Sequence, residues 1–140
     1  IDSFARAPLW AAGQDFAHGT GHGVGHFLTG HEGPQSISPK STMPFEAGMI
    51  VSNEPGYYQE GAFGIRTENL LFVTPVKDSD FLEFQTLNFV PIDTRMVVKK
   101  MLSPEERGWL NDYHQICRDK ISHRLTPKTI LWLKKVTAPL

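Results

Sequence analysis

The run His18-Gly19-Thr20-Gly21-His22-Gly23-Val24-Gly25-His26-Phe27-Leu28-Thr29-Gly30-His31-Glu32-Gly33 decides how this 140-residue chain is read. It holds four of the chain's six histidines within fourteen residues. Interleaved glycines each cost about 1 kcal/mol against alanine in a helix interior, so the run is predicted to be non-helical. His18 and His22 are therefore not a helical metal motif, and no His-Glu-x-x-His sequence stands here. In an extended segment side chains alternate between faces, which sends His18, Thr20, His22 and His26 to one side. That face is lined with imidazole, a ligand for first-row metals and a proton carrier near neutral pH. The glycines let a backbone or a substrate come close. His26, together with His114 and His123 further along, is read as a structural or solvent-facing histidine.

On either side of this run the texture changes. Residues 1 to about 13 read as a helix, with Ile1, Phe4, Ala5 and Pro8-Leu9 on a rough helical period until Gly13 ends it. From 17 to 94, glycine and proline punctuate short apolar runs: Met49-Ile50-Val51, Leu70-Leu71-Phe72-Val73 and Leu87-Asn88-Phe89-Val90. These read as strands joined by turns. Past Ile92 the helical period returns. Ser103-Pro104-Glu105-Glu106 supplies an N-cap, a proline at the first helical position and a glutamate for a capping box, followed by Trp109, Tyr113, Ile116, Cys117 and Ile121 at helical spacing. A second helix is predicted to start at Thr126-Pro127 and to carry Ile130, Leu131, Trp132 and Leu133.

Composition narrows the function classes. A formal net charge of -1, with no basic stripe, argues against a nucleic-acid footprint. One cysteine, Cys117, excludes an internal disulfide framework, and a reducing cytosol fits. No apolar run approaches the roughly 18 residues of a membrane span, and the start has no signal-peptide layout. The chain opens on Ile1-Asp2-Ser3-Phe4, without a methionine and in the middle of a helical pattern, so it is expected to be cut from something longer.

Two carboxylates join the histidines. Glu54 ends an apolar strand and stands immediately before the Pro55-Gly56 turn. Glu68 follows Arg66 in Phe63-Gly64-Ile65-Arg66-Thr67-Glu68-Asn69, where strand alternation puts Arg66 and Glu68 on one face. Acids are depleted within strands, so both positions ask for a reason. One reading of Glu68 is an exposed ion pair with Arg66. The other is that two glutamates on neighbouring strands converge with an imidazole, a donor set suited to Mn²⁺ or Zn²⁺. One histidine and two glutamates cannot saturate two ions. The aspartates offer no obvious complement, since Asp78 and Asp80 sit in a polar loop and Asp2 and Asp15 flank the first helix.

At these residues the sequence resembles the creatinase/aminopeptidase, or pita-bread, family of metallopeptidases, and within it the aminopeptidase P branch. The resemblance is carried in order by the His18–Gly25 block, His31-Glu32-Gly33-Pro34, Glu46-Ala47-Gly48-Met49-Ile50-Val51, Glu54-Pro55-Gly56-Tyr57-Tyr58, Gly61-Ala62-Phe63-Gly64-Ile65-Arg66 and Glu68-Asn69. It runs from Asp2-Ser3-Phe4-Ala5-Arg6 to Trp109-Leu110-Asn111-Asp112-Tyr113-His114 and so covers nearly the whole chain.

The resemblance implies an α+β fold, the second half of a pita-bread domain with a curved antiparallel sheet over residues 1–92, followed by a helical C-terminal extension over 93–140. It implies His22, Glu54 and Glu68 as metal ligands, with Glu68 bridging two divalent ions, Mn²⁺ first and Zn²⁺ or Co²⁺ as alternatives. His18, His31 and Glu54 would be catalytic, and His18, His31 and Arg66 would bind substrate. The activity implied is metal-dependent removal of an amino-terminal residue that precedes proline, in a cytoplasmic homodimer that uses Trp109, Tyr113 and Trp132 as interface anchors; neither nucleic acid nor membrane is implied as a partner. The family pattern also contains two aspartate ligands and a further substrate-binding histidine upstream of this chain's first residue. The chain alone is therefore expected to lack full activity and to expose apolar surface. The rival expectations are a prolidase-type dipeptidase sharing the metal set and a non-catalytic pita-bread interaction module; the metal-free creatinases fit less well because the carboxylates are present.

Overall fold

The amino-terminal helix forms as α1 (Asp2–Ala11) and closes at Gly13, whose φ of +69° is the left-handed conformation glycine adopts without strain. The face it buries differs from the one its apolar spacing suggests. Phe4 is 82% exposed and Ile1 60%, while Asp2 and Arg6, one helical turn apart, are both 4% exposed. A buried charge is tolerable only when paired and hydrogen-bonded, and both conditions are met here. Arg6 Nε donates to Asp2 Oδ2 at 2.8 Å, and Thr20 Oγ1 donates to Asp2 Oδ1 at 2.6 Å.

Residues 1–140 are described, in a computed structural model, and fall into two compact units, Ile1–Asn88 and Phe89–Leu140. In the first unit every ladder is antiparallel. β1 (Gly21–His22) pairs with β2 (Ser36–Ile37); β4 (Gly56–Gln59) pairs with β5 (Phe63–Arg66); and β6 (Asn69–Pro75) lies between β3 (Ile50–Asn53) and β7 (Leu82–Thr86). A bridge between Gly23 and Val51, and the bond from Glu54 N to Thr20 O at 2.7 Å, join the histidine run to β3.

The predicted runs at Met49-Ile50-Val51 and Leu70-Leu71-Phe72-Val73 become β3 and β6. The run Leu87-Asn88-Phe89-Val90 does not become a strand; the last strand lies just before it, over Leu82–Thr86. The ladder stops there because the Asn88 side chain takes over from the backbone, Oδ1 accepting from Leu70 N at 2.6 Å and Nδ2 donating to Asn69 Oδ1 at 2.9 Å. The apolar interior of this unit is small: Phe16, Ile37, Val51 and Val73 are buried. Phe27, Leu28, Phe63, Ile65, Phe81 and Phe84 are exposed, in line with the expected apolar surface.

In the second unit, α2 (Pro104–Ile121) starts with the predicted capping box, in which Ser103 Oγ accepts from Glu106 N and Glu106 accepts from Ser103 N. The Thr126 hydroxyl caps α3 (Pro127–Val136). Leu110, Tyr113, Cys117 and Leu133 are buried. Tyr113 donates its hydroxyl to Val90 O at 2.7 Å, so of the three expected interface aromatics it belongs to the interior, while Trp109 and Trp132 are exposed. His114 is structural, as expected: it is fully buried, and its Nε2 accepts from Ile92 N at 3.1 Å. Burial lowers its pKa below the usual histidine value. No helix is long and apolar enough to cross a membrane.

Candidate active site

Close backbone contact sets the site's frame. A Cβ on Gly21 would lie 1.8 Å from Ser52 O, and one on Gly23 would lie 2.0 Å from Glu32 O. Only glycine lets the histidine run lie this close to β3 on one side and to residue 32 on the other. With both glycines turned inward, the intervening His22 is turned toward the end of β3, where Glu54 is buried.

His22 Nε2 lies 3.0 Å from Glu54 Oε1. Its Nδ1 lies 3.0 Å from Gly23 O, and since a carbonyl can only accept, Nδ1 carries the proton. Nε2 is therefore the nitrogen that faces the carboxylate, and a proton or a cation shared between the two is what makes so close an approach favourable. Ser52 couples the two groups: its buried hydroxyl accepts from His22 N at 2.9 Å and donates to Glu54 Oε1 at 2.8 Å.

Arg66 bridges the two glutamates at longer range, Nη1 to Glu54 Oε2 at 3.7 Å and Nε to Glu68 Oε2 at 4.0 Å. Glu68 lies in the break between β5 and β6 rather than within a strand, and is exposed. The exposed Arg66–Glu68 pairing weighed from sequence is present, at the outer limit of an ion pair. His31 is also exposed, and its ring stacks on His22 with centroids 3.8 Å apart.

His18 is held in the same way as His22. Nδ1 donates to Gly19 O at 2.7 Å, so Nε2 accepts the Tyr58 hydroxyl, also at 2.7 Å. An open cleft of about 600 Å³ beside it is lined by Asp15, Phe16, Ala17, His18, Tyr58 and Arg66. His26 stands apart, exposed, next to Phe27. Thr20, expected on the imidazole face, is wholly buried against Asp2.

The residues singled out from sequence thus gather in two groups: His22, His31, Glu54, Arg66 and Glu68 in one, His18 in the other, with Arg66 lining the cleft at His18. The donors suit a first-row divalent ion in kind, imidazole nitrogen with carboxylate oxygen. In number they are incomplete, because no three His, Cys, Asp or Glu side chains converge as a metal site. Sequence reasoning missed Ser52 and Tyr58. Ser52 carried a signal, since it lies two residues before Glu54 and strand alternation puts both on one face; Tyr58 carried none.

Residues 1–75 match metallopeptidase family M24, and residues 80–140 match the C-terminal region of peptidase M24. The chain belongs to this metallopeptidase family. It is 45% identical over 151 residues to a probable Xaa-Pro aminopeptidase P of Coprinopsis cinerea, matching 100% of this chain and 24% of that protein. It is 50% identical over 149 residues to aminopeptidase P2 of Arabidopsis thaliana, matching 100% of this chain and 21% of that protein. The crystal structure of X-prolyl aminopeptidase from Caenorhabditis elegans, described as a cytosolic enzyme with a di-nuclear active site, superposes with a TM-score of 0.93 at 38% identity, over 99% of this chain and 24% of that one. The chain therefore spans about a quarter of the length of its relatives, and its α+β fold is that of the C-terminal portion of a pita-bread aminopeptidase.

Proposed function

We propose that this chain supplies part of a dinuclear metal site in an Xaa-Pro aminopeptidase, a cytoplasmic enzyme that removes the amino-terminal residue of peptides with proline in second place. One observation carries the reading: His22 Nε2 and the buried Glu54 Oε1 meet at 3.0 Å, while the other ring nitrogen is held by the Gly23 carbonyl, so that imidazole and carboxylate converge on one point. His22, Glu54 and Glu68 would hold the metal, Mn²⁺ before Zn²⁺ or Co²⁺, with the remaining ligands from the polypeptide upstream. When bound, the ions supply Lewis acidity to the scissile carbonyl.

The chain's own groups then divide the remaining work. Glu54, close to Arg66 and bonded by Ser52, moves the proton from the attacking water to the leaving amine. His18 and His31 face the charge that develops on the carbonyl oxygen. Because Gly19 holds the His18 proton on Nδ1, His18 donates from Nε2 only as the imidazolium. Arg66 lines the cleft beside His18 and shapes the substrate pocket. Residues 93–140 form the helical extension through which a homodimer assembles, with the exposed Trp109 and Trp132 as anchors.

The test is metal content and cleavage of Xaa-Pro peptides by the upstream-extended polypeptide, beside a His22→Ala variant and this chain alone. The reading expects about two divalent ions per extended chain, cleavage before proline that the variant loses, and little activity from this chain by itself. An extended protein that binds no metal and cuts nothing would leave the interaction-module reading in its place. Cleavage confined to dipeptides would point to a prolidase.

A further inference from the structure

Arg6 is the most heavily bonded side chain in the molecule, and the proposed mechanism gives it no task. Its Nε donates to Asp2, Nη1 donates both to Asp15 Oδ1 and to Phe16 O at 2.7 Å, and Nη2 donates to His18 O at 2.6 Å. The guanidinium also lies over the Phe16 ring, 3.9 Å from its centroid, and that ring touches the His18 imidazole, centroids 4.9 Å apart. Asp2, its partner in α1, takes the Thr20 hydroxyl, and Thr20 O in turn accepts from Glu54 N at 2.7 Å. Burial alone would raise the Asp2 pKa, but the bonds from Thr20 and Arg6 outweigh it and leave the carboxyl lowered, hence ionised.

Stability alone is a poor explanation for such an arrangement. Replacing a buried ion pair by well-packed apolar residues is often neutral or stabilising, so the pair says more about geometry than about energy. All three guanidinium nitrogens are used, and two of their four acceptors are carbonyls of the segment that leads into the histidine run. A lysine ammonium at this position would keep the charge and lose the planar fork.

We propose that Arg6 is a positioning residue: anchored to Asp2 and Asp15, it fixes the backbone at Phe16 and His18 so that the His18 imidazole is held against Tyr58 at the wall of the substrate cleft. The catalytic consequence rests on the aminopeptidase reading; the geometric one does not. Without the fork, the His18 carbonyl loses its charged donor and the Phe16 ring its stacking partner, so the ring of His18 is freed from Tyr58.

The experiment uses the upstream-extended protein with Arg6→Lys, and Asp15→Asn as a milder variant in case the first does not fold. Carbethoxylation of His18, followed by peptide mass mapping, reads its exposure independently of activity, with the exposed His123 as internal reference. The inference expects His18 to react several-fold faster in Arg6→Lys, with a smaller change in Asp15→Asn and an unchanged metal content. It also expects kcat for Xaa-Pro cleavage to fall by about 10–100-fold, the size of effect seen when an orienting partner is lost. Arg6→Lys should add little to His18→Ala, since both act on one group. Unchanged His18 reactivity in folded variants, or penalties that simply add, would overturn it. If the wild-type protein cuts no Xaa-Pro bond, the functional reading fails, and the reactivity of His18 alone decides the role of Arg6.

Discussion

The two compact units solve the problem of a small interior differently. In Ile1–Asn88 the buried side chains include Asp2, Arg6, Thr20, Gln35, Ser52 and Glu54 beside Phe16, Ile37, Val51 and Val73. In Phe89–Leu140 they are Leu110, Tyr113, Cys117 and Leu133, with His114 and Thr137 the polar members. The first unit is held by directed bonds at fixed distances, the second by packed apolar volume under two capped helices. Directed bonds are costly to bury and weak in net stabilisation, but they fix angles and tautomers. Apolar packing stabilises more per residue and fixes less. It follows that the unit with the polar interior is the one in which reacting groups can be held in place.

Substitutions can break this comparison, and the largest effect is expected at Gly21. Gly21→Ala puts a methyl where Ser52 O stands, and β3 cannot give way without moving Glu54. The variant of the upstream-extended protein should lose metal binding and Xaa-Pro cleavage together, as read by metal analysis and peptide hydrolysis. Retention of either would mean that the close approach of the histidine run to β3 is not what sets the site. The next effect falls in the other unit. Leu133→Ala empties a fully buried position and should cost about 2–5 kcal/mol by urea unfolding. If apolar packing there only stabilises, the metal content of the surviving folded protein should not change.

The smallest effect is a pH dependence, and it sharpens the contrast because it comes from a polar group inside the apolar unit. Burial lowers the His114 pKa below its ordinary 6.5, and its Nε2 is engaged as an acceptor from Ile92 N, so the folded unit holds it neutral. The unfolded chain takes up the proton first as pH falls. Its contribution to stability is therefore complete above about pH 6.5 and drains away as pH falls below that value. Denaturant midpoints between pH 7.5 and 5 should decline, and His114→Gln should flatten the decline. An equal slope in both proteins would assign the pH dependence to other groups.

Periodicity and punctuation were sufficient for the helices: Gly13, Ser103-Pro104 and Thr126-Pro127 mark ends that the structure keeps within about two residues, the usual scatter of helix boundaries. They failed where a side chain replaced a backbone group, as when Asn88 ended the ladder that the apolar run at 87–90 seemed to continue. They also failed at α1, whose apolar spacing pointed to the wrong face. A hydrophobic pattern cannot register that Asp2 and Arg6 have partners waiting 10 to 18 residues away, from Phe16 to Thr20.

The sequence by itself determined which residues could bear the chemistry. Histidines spaced by glycines, and glutamates placed beside turns, are legible because residue type and local spacing limit what each can do. Only the tertiary structure decided how they are used. It put Ser52 between His22 and Glu54, turned the imidazoles of His18 and His22 by bonds to neighbouring carbonyls, set Tyr58 against His18, and bonded the buried Arg6 to the backbone of Phe16 and His18. Those choices depend on distances between segments far apart in the chain, and local pattern carries no record of such distances until the backbone closes.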